Sequence, residues 1–130
     1  MTQKDKELLL KDLCARIPYH VRVKIWLKDG TTEEGTLDLQ HNYADVLLDA
    51  FYYNKIVDIK SYLRPFSSMT EKEKEELKDI CVINYNEFEG GSTLFDEMGL
   101  DWLNAHYFDY RGLIPQGLAL KAKKEMYNIE

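Results

Sequence analysis

At Pro18 the hydrophobic period of the chain changes from helical to extended, and that change constrains the fold more than any other feature. On its N-terminal side Leu9, Leu10, Leu13, Cys14 and Ile17 recur at helical spacing, and Thr2 with Asp5 has the pattern of a capping box. Proline disfavours helical geometry in the residue before it, so the helix is expected to end there. On the other side Val21, Val23, Ile25 and Leu27 alternate with His20, Arg22, Lys24, Trp26 and Lys28, the pattern of a two-faced strand.

Asp29-Gly30 is a turn signal, and Gly35 interrupts a second strand carrying Leu37 and Leu39. A glycine inside a strand marks a bulge or a sharp bend, the device that curls small sheets into barrels. His41-Asn42 turns the chain again. Residues 43–50 read as a third strand with Ala44, Val46 and Leu48 on one side, residues 52–59 as a fourth, and residues 62–64 as a short fifth before Pro65. Val21, Val23, Ile25, Leu37, Leu39, Val46 and Leu48 are expected to share one core.

Beyond Pro65, Thr70 and Glu73 form a second capping pair. They open a mostly charged helix over residues 71–80 whose apolar side is Leu77, Ile80 and Cys81. Its mixed Glu and Lys residues read as a solvated face. Residues 82–95 leave hairpin and loop both open around Gly90-Gly91. A short helix is expected over residues 100–106, broken at Arg111-Gly112. Pro115-Gln116-Gly117 then turns the chain into a strand at Leu118-Ala119-Leu120.

With 130 residues, 45% of them hydrophobic, the chain suits one domain. A net charge of −6 disfavours broad binding to phosphate backbones or anionic membranes. Nothing at the N-terminus resembles a signal peptide, and no apolar run approaches the roughly 20 residues of a membrane span. Cys14 and Cys81 are isolated among apolar neighbours and read as reduced, buried thiols. A cytoplasmic location is expected.

No catalytic constellation emerges. His20, His41, His106, Cys14 and Cys81 lack the paired spacing of a zinc site. Asp101, His106 and Asp109 form the tightest acidic and histidine set, and read as capping and surface groups. Cys14 on an apolar stripe is an inert thiol, and Ser67 and Ser68 suit a turn. Neither a nucleophile elbow nor a phosphate loop is present, so no cofactor and no enzymatic activity are expected.

Two stretches suggest binding instead. Arg22, Lys24 and Lys28 share a strand face with Trp26, which a stacking platform for nucleic acid would need; the acidic total favours ordinary outward charge. Trp102, His106, Tyr107, Phe108, Tyr110 and Arg111 crowd into ten residues, and consecutive positions point in different directions. They form the candidate interaction surface, since Trp, Tyr and Arg dominate binding hot spots when accessible. The competing role for the same segment is to clamp the C-terminal extension onto the core.

Residues 21–50, with Gly30, Gly35, Leu37 and the run Asp45-Val46-Leu47-Leu48-Asp49, resemble the first motif of Sm-like proteins. That resemblance implies a small SH3-like barrel, and it places His41, Tyr43 and Asp45 where the family cradles an RNA base. Asp45 stands in place of the family's asparagine, and the second motif's arginine-glycine pair is absent, Arg64 being followed by Pro65. Residues 11–19 and 61–70, together with Asp101-Trp102-Leu103, His106, Phe108-Asp109 and Gly112-Leu113-Ile114-Pro115, resemble segments shared by uncharacterised proteins of gut bacteria and their phages.

The expectation is therefore an α+β fold. An N-terminal helix and a small SH3-like or Sm-like β-barrel occupy residues 1–66, and a helical C-terminal extension over residues 67–130 packs on them as one unit. The leading function is a non-catalytic interaction module with a protein partner. The alternative is a diverged Sm-like nucleic-acid binder contacting its ligand through Trp26, His41, Tyr43 and Asp45.

Overall fold

A computed structural model describes residues 2–37, 43–53, 55–87, 97–123 and 125–127. Helix α1 (Gln3–Arg16) starts at the capping box: the Asp5 N–H donates to Thr2 Oγ1 and the Thr2 N–H to Asp5 Oδ2, each at 3.1 Å. A 3-10 turn over Ile17–Tyr19 follows, with Pro18 in it. Strands β1 (Arg22–Leu27) and β2 (Thr32–Thr36) form a hairpin in which Gly30 takes φ +89°, a conformation open to glycine at no steric cost. Helix α2 (Tyr43–Phe51) leads into β3 (Ile56–Leu63). Helices α3 (Glu71–Glu87) and α4 (Glu97–Ala105) pack on each other, and β4 (Ala119–Lys121) is the last strand.

The four strands lie in the order β2-β1-β3-β4. β1 pairs antiparallel with both neighbours, and β4 adds parallel to β3 through Ser61↔Ala119, Tyr62↔Leu120 and Leu63↔Lys121. One face carries the core. Leu9, Leu13 and Ile17 of the N-terminal helix and turn meet Val21, Val23, Ile59, Leu63, Leu113, Leu118 and Ala119, with Leu37 alongside. Val46, Leu47, Ala50 and Phe51 of α2 pack against the same cluster, as do the half-buried Ile25 and Leu27.

The fold is α+β with an N-terminal helix, and it corrects several expectations. The described strands form an open mixed sheet rather than a closed barrel. Residues 43–50 are helical, not a strand. Alanine and leucine favour helix, and Val46, Leu47, Ala50 and Phe51 make a helical stripe that the apolar run hides from a period-2 reading. Leu48 consequently points outward, 44% exposed. Gly35 pairs in regular register with Val23, because an edge strand of five residues needs no bend; the bulge falls opposite Trp26 and Leu27, where β3 carries Val57 as an extra residue. The fourth and fifth expected strands merge into β3. Cys14 is exposed. The buried face of α1 instead carries Leu9, Asp12, Leu13 and Arg16, an ion pair taking the place of apolar residues. Leu39, His41 and Gly90-Gly91 lie outside the described residues.

Candidate interaction surface

The C-terminal aromatic segment is tied inward by two buried arginines. Arg64, at the end of β3, forms a bidentate pair with Glu73: Nη1 to Oε2 and Nη2 to Oε1, both 2.7 Å. Its guanidinium lies 4.2 Å from the Phe108 ring centroid and donates to the His106 carbonyl at 3.3 Å. Its backbone N–H donates to the Tyr107 carbonyl, and its carbonyl accepts from the Asp109 N–H. Burial pushes the Glu73 carboxyl up, but hydrogen bonds from Arg64 and the Thr70 backbone outweigh it and bring the pKa down to about 2. The capping pair seen in the sequence, Thr70 with Glu73, is therefore also the counter-ion of Arg64.

Arg16 holds the other side. It pairs with Asp12 at 2.8 Å and donates from Nη2 to the Phe108 carbonyl at 2.6 Å. Arg111 shares that carboxylate at 2.7 Å, and the Tyr110 ring lies beside both guanidiniums, 5.2 and 4.7 Å from its centroid. The end of α4 completes the arrangement. The Phe108 N–H bonds the Leu103 carbonyl and the Tyr107 N–H that of Asn104, a Schellman motif with Tyr107 at φ +63° where glycine is usual. That conformation costs about 1–2 kcal/mol for a residue with a Cβ. Tyr107 is held in it by stacking on Tyr127 and by donating its hydroxyl to the Tyr19 carbonyl.

Trp102 and His106 stack with centroids 4.0 Å apart, and Trp102 also stacks on Phe108. The Trp102 indole N–H reaches Glu76 at 3.3 Å. Asp101, His106 and Asp109 do not converge. Asp101 is exposed, His106 donates from Nδ1 to the Trp102 carbonyl, and buried Asp109 accepts the N–H groups of Leu113 and Ile114. Among the described residues no three His, Cys, Asp or Glu side chains gather as a metal site requires. Nor is any described helix long and apolar enough to cross a membrane.

The outer sheet face gathers a different set. Alternation along β1 places Arg22, Lys24 and Trp26 opposite the core, and the register sets Lys24 directly against Lys60 and Trp26 against Asp58. The Lys24 and Lys60 ammoniums lie 5.3 and 5.6 Å from the Trp26 centroid. Beside this row the bulge leaves Val57 64% exposed, and the α2–β3 corner presents Tyr52 and Tyr53, 73% and 55% exposed and packed edge to face. Tyr43 and Asp45 sit on the first turn of α2, so they do not form a loop between two strands with Trp26. Lys60 and Val57 escape a reading of the sequence, because only the strand register and the bulge bring them to the Trp26 row, and Tyr52 and Tyr53 escape it because the end of α2 leaves them exposed.

Comparison with protein-family models, curated proteins and solved structures finds no match to this chain.

Proposed function

We propose that this chain is a non-catalytic interaction module that binds a protein through the strip running from the Tyr52-Tyr53 corner over Val57 to Trp26. The observation that carries the reading is the exposure of Tyr52, Tyr53 and Val57 on a stretch anchored from beneath. The Tyr52 and Tyr53 N–H groups both bond the Leu48 carbonyl, and Phe51 and Ile56 pack inward on either side. Large apolar side chains held rigid in solvent offer contact area at little ordering cost. The reading is tested by placing a photo-cross-linking residue at position 53, with position 78 on the exposed side of α3 as control, in cells that make the protein. A discrete protein adduct at 53, absent at 78 and lost in Val57→Asp at unchanged melting temperature, supports it. Equal adducts at both positions refute it.

Trp26 beside two lysines is the observation favouring the second reading, a nucleic-acid binder. The net charge of −6 weighs against it.

A further inference from the structure

Resting on that proposed reading, we infer that the partner presents a short acidic segment with one bulky apolar residue. Its carboxylates lie among Lys24, Lys60 and Arg22, and its apolar side chain lies against Trp26 and Val57.

Like charges directly opposite on neighbouring strands destabilise a sheet, yet Lys24 and Lys60 stand in that relation. No described carboxylate comes within ion-pairing distance of either. The acidic neighbours are engaged by other groups, although Glu34 also feels the charges of Lys24 and Arg22. Glu34, across from Lys24 on β2, accepts from the Tyr62 hydroxyl and lies 3.7 Å from Lys123, and Asp58 accepts from the Ile59 N–H at 2.8 Å. Arg22 adds a third cation in the next row, its guanidinium donating to the Thr36 hydroxyl at 3.3 Å. The site is thus cationic and apolar at once, inside a chain of net charge −6.

That contrast selects the occupant. A nucleic-acid strand carries a charge on every nucleotide, so its ends would run past the exposed Asp29 of the adjoining turn. A peptide with a few carboxylates and neutral flanks is short enough to stay beside Arg22, Lys24 and Lys60 and clear of Asp29.

The test is a titration of the full-length, 15N-labelled protein, in which the indole N–H signals of Trp26 and Trp102 report separately. The probe is the peptide acetyl-Asp-Glu-Phe-Glu-Asp-amide. A lysine-substituted version and an oligodeoxythymidine of about 15 nucleotides serve as comparators. The expected result is a saturable shift of Trp26 alone with the acidic peptide, weakened about tenfold by Lys24→Glu or Lys60→Glu. Lys24→Gln and Lys60→Gln, with a smaller loss, guard against a folding defect. No shift, equal binding by the charge-reversed variants, or tighter binding of the oligonucleotide at about 0.15 M salt overturns the inference. Cross-linking from position 53 in the Lys24→Glu/Lys60→Glu background separates the two readings. A protein adduct that persists there refutes the acidic chemistry alone, whereas no adduct in the otherwise unaltered protein refutes the protein-binding reading beneath it.

Discussion

Aromatic side chains concentrate in two parts of this molecule, residues 102–110 and the strip from Tyr52 to Trp26, and the two are held in opposite ways. In the first, polar ends and rings have internal partners. Trp102 reaches Glu76, Tyr107 the Tyr19 carbonyl and Tyr110 Asn104, while Phe108 is buried under the Arg64 guanidinium. In the second, the backbone is anchored and the side chains face outward, accompanied by lysines rather than by buried counter-ions. Aromatic density alone does not distinguish a clamp from a contact surface. What does is whether a buried cation or carbonyl lies beneath the rings to satisfy them.

The sharpest way to break the comparison is to remove the cation beneath the clamp. Arg64→Ala leaves Glu73, only 2% exposed, without its partner and is expected to lower unfolding free energy by about 3–5 kcal/mol in a urea titration. A loss below about 1 kcal/mol would show that the segment is not held this way. The same pair sets a pH dependence. The Glu73 carboxyl falls from an ordinary 4.5 to about 2 on folding, so its contribution is complete above pH 4.5 and disappears as pH falls toward 2. Stability should drop by roughly 3 kcal/mol across that window from this group, and the Glu73→Gln variant should lack that component.

A smaller effect tests the polar ends of the clamp. Tyr110→Phe removes the 2.9 Å bond to Asn104, itself buried, and should cost about 1 kcal/mol by thermal or chemical unfolding. The smallest effect belongs to the outward strip. Tyr52→Ala should change stability by no more than about 0.5 kcal/mol while reducing partner adducts at position 53. A large drop in melting temperature would assign Tyr52 to the clamp category and erase the distinction.

Legibility in the sequence followed the range of the interaction involved. The Thr2–Asp5 and Thr70–Glu73 caps, the stop at Pro18, the alternation from Val21 to Leu27 and the Asp29-Gly30 turn all appear where expected. The short strand near Leu118 appears too, displaced by one residue, but its parallel pairing with β3 does not follow from its own residues. The candidate strip was half legible: Trp26 and Lys24 were visible as one strand face, whereas Lys60 and Val57 needed the register and bulge of β3.

By itself, then, the sequence determined the elements whose stabilising contacts close within a few residues: caps, turns and the two hydrophobic periods. Tertiary structure alone decided the rest. An apolar run such as residues 43–51 satisfies helix and strand patterns alike, and packing of Val46, Leu47, Ala50 and Phe51 on the core resolves it as helix. Asp12 and Arg16 are buried and Cys14 exposed because Arg16 meets the Phe108 carbonyl, 92 residues away. A charged pair enters a core where distant groups add hydrogen bonds to it, as the Phe108 carbonyl does for Arg16, and no local pattern records where those groups will arrive.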